Sequence, residues 1–237
     1  MDYLGLEKVE QILDKNAFLQ SLAVFLKAND AMTKHVRIRI QVWANDTTPG
    51  YLPGNRAAHV LFSGSIINKQ TDDGKKPEVS LITSTFPRIP HEALPSDVKW
   101  SNGINYILAA RQAQSRNADD ALMMTSSGWV SETTIANIFW IRDEFVFTPS
   151  VACDLLPGIA RNTILEILDE MGANANQGAY SCDFLKMADA VWVCNSVRGM
   201  RVVRQIDKTE FSGNHPFMEQ IEQRFASNIK ENLQYVR

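Results

Sequence analysis

Residues 128–141 read G-W-V-S-E-T-T-I-A-N-I-F-W-I. A glycine turn leads into short runs of β-branched and aromatic residues, one around Trp129 and Val130 and a second from Asn137 onward, the composition of buried strands. A third strand-like run covers residues 145–148. A helical pattern then opens at the Pro157-Gly158 turn, carries Ile159, Ile164, Leu165 and Leu168, and stops at Gly172. Beyond it, Ser181 is placed to cap a short helix, residues 190–194 and 200–204 read as strands, and a last helix starts at Pro216. On the upstream side, residues 121–124 read as a strand, and Ser101 is the expected N-cap of a helix through Ile104, Ile107, Leu108 and Ala110.

The organisation differs ahead of the Pro-rich segment 86–95. Residues 6–29 hold two helical stretches, the second with Phe18, Leu19, Leu22, Val24, Phe25 and Leu26 at helical spacing. Val36, Ile38, Ile40 and Val42 then alternate with Arg37, Arg39 and Gln41, which marks a half-buried strand. Strand-like runs recur at 58–63 and 79–84, separated by the polar stretch 68–76, and Pro49, Gly50, Pro53 and Gly54 make 45–55 a loop. The expected class is α+β in two unequal parts. Residues 1–90 form a small part with helices on an antiparallel sheet, and residues 91–237 a larger part with a mixed sheet and helices, hinged near residue 90.

The bulk numbers exclude several function classes. The 237 residues carry 45% hydrophobic and 22% charged side chains and a formal net charge of −3, so no basic face for nucleic acid is expected. Apolar runs such as 135–141 fall well short of the ~20 residues that span a bilayer. The start, M-D-Y-L-G-L-E-K-V-E, has no basic region followed by an apolar stretch and does not read as a secretory signal. Cys153, Cys182 and Cys194 lack C-x-x-C spacing, and His35, His59, His91 and His215 are scattered. Reduced thiols in a cytoplasm and no metal site are the expectation.

Several residues are candidates for chemistry, each with an ordinary reading beside it. Lys99, between a Pro-rich loop and a helix, is by default a solvated lysine, and Glu132 a solvated carboxylate at a strand end. The segment L-P-G-I-A-R (156–161) enters a helix whose unpaired N–H groups suit an anion, although most helix starts bind only water. Asn195 and Ser196 follow a buried-looking strand and read as ordinary turn residues.

Order and spacing lift these pieces together. V-K-W-S-N-G-I-N-Y-I-L-A-A-R-Q-A (98–113), G-W-V-S-E-T-T-I-A-N-I-F-W-I (128–141), F-T-P (147–149), L-P-G-I-A-R (156–161) and A-D-A-V-W-V-C-N-S-V-R-G-M-R-V-V (188–203) follow one another as in the class IV pyridoxal-phosphate family. The chain resembles that family, which contains branched-chain and D-amino-acid aminotransferases and aminodeoxychorismate lyase. The resemblance implies a two-part class IV aminotransferase-like fold, pyridoxal 5′-phosphate as cofactor, and a homodimer.

It also assigns roles. Lys99 matches the Schiff-base lysine, an amine that must lose its proton to attack the cofactor aldehyde. Glu132 matches the glutamate that keeps the pyridine nitrogen protonated, which makes the ring an electron sink. Leu156 matches the apolar residue packed on one ring face. Ile159 and Ala160 would offer backbone N–H groups to the phosphate, and Ser196 and Val197 a hydroxyl and a further N–H. Asn137 reads as structural, fixing the strand after Glu132.

Three departures accompany the match. Ala160 stands where many members have threonine. Tyr106 lies farther from the lysine than the tyrosine of the branched-chain enzymes, and is left out of the expected site. The opening M-D-Y-L-G-L resembles residues just after the family's H-x-x-R-L segment, so the N-terminal strands and their phosphate-binding arginine are expected to have no counterpart.

Lys99 can shuttle a proton for transamination or for β-elimination, so the core motifs leave both open. The expectation is an aminotransferase acting on an amino acid. The alternatives are an aminodeoxychorismate lyase, giving 4-aminobenzoate and pyruvate from an aminodeoxychorismate-like substrate, or a shortened, inactive member retained as a binding module.

Overall fold

A computed structural model of the chain describes residues 3–7, 9, 14–44, 48–51, 54, 56–67, 78–213 and 215–232. The chain groups into two compact units, Met1–Gly74 with Leu233–Arg237, and Lys75–Asn232.

In the first unit, α1 (Lys15–Ala28) begins where Asp14 accepts hydrogen bonds from the Asn16 and Ala17 amides, at 3.1 and 3.0 Å. Those donors would otherwise be orphaned at the helix start. Strand β1 (Val36–Ala44) pairs antiparallel with β2 (Ala58–Ile66), with Ile40 opposite Phe62. The alternation read in β1 turns Val36, Ile38, Ile40 and Val42 to one face. Phe62, on that same face, meets Phe18 and Phe25 of α1 at ring-centroid distances of 5.5 and 6.0 Å. Most of the helical stretch expected ahead of α1, and the polar stretch 68–76, lie outside the described residues.

The second unit is built on a nine-stranded sheet. Its strands are β3 (Val79–Thr83), β4 (Asp120–Met124), β5 (Val130–Thr133), β6 (Asn137–Arg142), β7 (Phe145–Pro149), β8 (Asn176–Gly178), β9 (Ala190–Asn195), β10 (Gly199–Ile206) and β11 (Thr209–Glu210). The order is β5-β4-β3-β10-β9-β6-β7-β8, with β11 on β10. Pairings of β3 with β4 and β10, and of β7 with β8, are parallel; the others are antiparallel.

Both faces of the sheet are covered, which explains why β6 and β9 read as nearly continuous apolar runs. On one face Ile138 and Trp140 join Val79, Leu122, Val191 and Val193, and Trp140 meets the Tyr180 ring edge-on at 5.2 Å. On the other, Phe139 and Ile141 pack with Trp192 against α3 (Ile159–Glu170) and α5 (Pro216–Glu231) through Ile164, Ile167, Leu168, Ile221 and Phe225. Helix α2 (Ile104–Ser115) covers β4 through Ala109 and Ala113, and the short helix α4 (Cys182–Lys186) is capped by Ser181 as expected. No helix among the described residues is long and apolar enough to cross a membrane.

Three expectations change. The run at 79–84 does not extend the antiparallel pair of the first unit; it is β3, parallel to β4 and β10 and buried in the large sheet. The units accordingly divide at residues 74 and 75 rather than near 90. Gly103, not Ser101, is the N-cap of α2, because the Gly103 amide turns back onto the Ser101 carbonyl at 2.9 Å before the helix begins.

Candidate active site

The parallel step from β3 to β4 needs a crossover, and the chain makes it through α2. Residues 84–103 of that crossover emerge at the carboxyl end of β3, the usual location of ligand sites in parallel sheets. The Ser84 and Arg88 amides first donate to the Leu122 and Met124 carbonyls, both at 2.8 Å, so the segment runs along β4 before turning away. It carries Arg88 and Lys99.

Glu132 lies on β5 and is 4% exposed. Its Oε1 accepts the Tyr106 hydroxyl at 2.9 Å and faces Arg88 Nε at 3.0 Å. Its Oε2 accepts Asn137 Nδ2 and the Leu156 amide, each at 3.2 Å. Burial is the dominant influence and pushes this carboxyl up to about 7. The charge of Arg88, the Tyr106 and Leu156 hydrogen bonds and the charge of Lys99 pull the other way. Lys99, exposed on the irregular segment before α2, therefore stands close enough for its charge to favour the ionised carboxylate.

Arg88 is itself 6% exposed and lies over the Tyr106 ring, 4.6 Å from its centroid. The N–H of Arg88 Nε points at the Asp154 carbonyl, 2.9 Å away, so its tie to Glu132 is the attraction of adjacent charges. Burial and the neighbouring carboxylate push the Tyr106 hydroxyl above its ordinary value, which keeps it a donor to Glu132.

Asn137 joins these groups to the start of α3. Its Nδ2 donates to Glu132 and also to the Leu156 carbonyl at 2.9 Å, while its Oδ1 lies against Gly158 where any Cβ would stand. Only glycine lets the α3 N-cap approach so closely. Gly158 carries no side chain to cap the helix, which leaves the first-turn amides of Ile159, Ala160 and Arg161 without a side-chain cap. Asn137 also sits opposite Cys194 in the β6–β9 ladder, and Asn195 Nδ2 reaches the Ile135 carbonyl at 3.2 Å. The turn 195–198 is thereby brought beside the same strand end.

In that turn the Val197 amide donates to Asn195 Oδ1 at 3.0 Å, as does that of Arg198 at 2.7 Å. Asparagine side chains fold back on their own turn in this way. Ser196 is exposed, and its hydroxyl and amide have no hydrogen-bond partner among the described residues. Leu156 is tied through its backbone and partly exposed; Ile159 is exposed and Ala160 buried.

Sequence reasoning missed Arg88 and Asp154, and set Tyr106 aside. Arg88 sits in P-R-I-P, where no periodicity marks it, and only recognition of the parallel crossover would have drawn attention to the end of β3. Asp154 closes the 3₁₀ turn Val151–Cys153 with a left-handed backbone, φ 59°. Aspartate tolerates that conformation better than most residues, but nothing local ties it to Arg88.

The arrangement is thus a buried, cation-paired carboxylate that feels the Lys99 charge, with an uncapped helix start and an unengaged serine. Known proteins resemble the chain that builds it. Over 123 residues, 52% of this chain and 45% of the other, it is 33% identical to aminodeoxychorismate lyase of Vibrio harveyi. Over 132 residues, 54% of this chain and 42% of the other, it is 35% identical to branched-chain-amino-acid aminotransferase of Pseudomonas aeruginosa. The match thus spans under half the length of either relative. The solved branched-chain aminotransferase of the archaeon Thermoproteus uzoniensis with norvaline superposes with a TM-score of 0.80 at 20% identity, covering 92% of this chain and 72% of that one, a likeness of fold. The family model for amino-transferase class IV matches residues 5–206, and the chain belongs to that family.

Proposed function

We propose that this protein is a pyridoxal-5′-phosphate-dependent aminotransferase acting on an amino acid, with Lys99 holding the cofactor. The observation that carries this reading is the buried Glu132, paired with Arg88 and within reach of the Lys99 charge. A carboxylate offers about four acceptor sites. Three hydrogen bonds engage Glu132 while Arg88 acts by charge, and a carboxylate so held suits a further donor such as a pyridinium N–H. The amides of Ile159 and Ala160 and the Ser196 hydroxyl suit a phosphate. Leu156 supplies an apolar contact. The residues present therefore fit the cofactor.

When bound, the cofactor supplies an electron sink that eases removal of the substrate α-proton. Lys99 would take that proton on its amine and pass it to a second carbon rather than back to the first, as a 1,3-transfer requires. Glu132 holds the proton on the pyridine nitrogen, and Arg88 and Tyr106 hold Glu132. The segment around Lys99 is open enough for a small amino acid to reach the amine.

A second reading is favoured by the likeness to the Vibrio harveyi lyase: elimination from an aminodeoxychorismate-like substrate. Release of pyruvate without a second keto acid would support it, whereas dependence on an amino acceptor supports transamination. The chain is also proposed to work as a cytoplasmic homodimer. Its first unit exposes Val24, Ile40, Leu61 and Ile66, apolar surface that association covers, and its three cysteines are free.

The test of the site is chemical. Protein mixed with pyridoxal phosphate should develop a visible band, and borohydride should fix a phosphopyridoxyl mass on the peptide containing Lys99. The same band and mass in Lys99→Ala would refute the assignment.

A further inference from the structure

Lys99 stands on a segment with no regular secondary structure, so side chains must fix where it points. Asp154, His91 and Ser96 form a chain of hydrogen bonds onto and within that segment. The Asp154 carboxylate accepts the His91 amide at 2.9 Å. His91 Nδ1 in turn lies 3.1 Å from the Ser96 amide and 3.2 Å from its hydroxyl. An amide N–H can only donate, so Nδ1 is the acceptor and the ring proton sits on Nε2. Ser96 is three residues ahead of Lys99, and it is 7% exposed while Asp154 is 8% exposed. Both ends of this chain are therefore buried, and Ser96 lies on the segment that carries Lys99.

Asp154 also holds the same segment three residues earlier. Its carbonyl accepts Arg88 Nε, the cation that faces Glu132. One residue thus holds, through its backbone, the partner of Glu132 and, through its side chain, the loop that presents Lys99. The left-handed backbone of Asp154 aims both groups at the segment. A purely local turn would need only one of these grips. The segment's own turn, closed by the Ala93 and Leu94 amides on the Pro90 carbonyl and by Trp100 Nε1 on the Pro95 carbonyl, shapes the loop without tying it to the Glu132 side of the site.

The geometry points to Asp154, His91 and Ser96 as positioning residues that set the placement of Lys99 opposite Glu132. This rests on the reading of Lys99 as the cofactor-binding amine. The three residues touch neither substrate nor cofactor; they act through the loop, and a misplaced amine reacts more slowly.

Three variants test it. His91→Leu deletes the acceptor at Nδ1, His91→Asn restores one near the same place, and Asp154→Gly keeps the left-handed backbone and the carbonyl to Arg88 while deleting the carboxylate. In cofactor-free protein, His91→Leu should speed hydrogen exchange of the peptide holding Ser96 by about fivefold to tenfold, the loss of one or two net hydrogen bonds. The rate at which pyridoxal phosphate is captured on Lys99, read by borohydride trapping, should slow by about the same factor. His91→Asn should recover both rates, and Asp154→Gly should slow capture with its melting temperature within a few degrees of the parent.

Faster exchange with unchanged capture would overturn the inference, as would failure of His91→Asn to restore capture. Should His91→Leu not fold, unchanged capture in Asp154→Gly overturns it alone. If the unmodified chain captures nothing on Lys99, the functional reading fails and this inference with it. Normal capture by the unmodified chain and by every variant removes the inference and leaves the functional reading standing.

Discussion

Replacing Arg88 by leucine should destabilise the protein in a strongly pH-dependent way. Arg88 and Glu132 are 6% and 4% exposed and face each other at 3.0 Å, so the substitution leaves a carboxylate buried without its cation. Breaking such a pair costs about 3–5 kcal/mol while the remaining group stays charged. Glu132 has an alternative, because burial already raises it from 4.5 to about 7 and the loss of Arg88 removes an opposing pull. The sign follows from linkage. A carboxyl whose folded value lies above its unfolded value contributes stability that is fully present below the unfolded value and is lost as pH rises through the folded one. In the parent that loss runs from about 4.5 to about 7; in Arg88→Leu it continues to higher pH.

At pH 5.5 the folded forms of both proteins hold the proton, and the variant loses only the Asp154 hydrogen bond and the packing on Tyr106, roughly 1–2 kcal/mol. At pH 8.5 the full cost of about 3–5 kcal/mol applies. For a chain of this size 1 kcal/mol corresponds to about 2–4 °C in Tm. The Tm difference between parent and variant should therefore widen from a few degrees at pH 5.5 to about 6–20 °C at pH 8.5. Thermal unfolding of both proteins across that pH range is the assay. An equal loss at both ends would show that Arg88 supports the loop by packing alone and that the Glu132 charge is not what it serves.

Glu132→Gln should still bind cofactor while turnover falls by on the order of 10² or more, measured as steady-state rate beside bound pyridoxal phosphate, because a neutral amide cannot hold a pyridinium proton. Gly158→Ala should cost about 1–3 kcal/mol in urea unfolding, since the new Cβ meets Asn137 Oδ1, and it should weaken cofactor binding by displacing Asn137 from Glu132. Asp207→Ala should lower the urea midpoint by the equivalent of about 2–4 kcal/mol. It strips the acceptor from the Thr83 amide and hydroxyl, breaks the 2.8 Å pair with Lys186, and places alanine at φ 54°.

The fold was most legible where one physical signal dominated. The period-2 run in β1, the Pro157-Gly158 entry and Gly172 exit of α3, the Ser181 cap and the Pro216 start all recur in the structure within a residue or two. The partner of β3 was not legible, because a short apolar run carries no mark of whether it pairs in parallel or with which strand. Its position after two apparent antiparallel strands favoured a third, yet its buried pattern on both faces belongs to the centre of the large sheet. Strand β8, three residues with no apolar side chain, offered no signal at all; it exists because the parallel edge of β7 and the Arg161 guanidinium on Gln177 hold it.

The candidate site divided along a similar line. Lys99, Glu132, Leu156 and the start of α3 were drawn from motif order, and Tyr106 was set aside because spacing from the lysine was taken as the criterion. Spacing along the chain is a poor guide there. The segment between Val98 and α2 is irregular and turns at Ser101–Gly103, and the Tyr106 hydroxyl reaches Glu132 at 2.9 Å. Arg88 and Asp154 lie 66 residues apart and meet only because the parallel crossover and the turn after β7 end at the same place. Charge stabilisation of a buried carboxylate depends on distance in space. It is therefore the part of the site that a linear reading reaches last, and in this chain it is the part that decides whether Glu132 carries its charge.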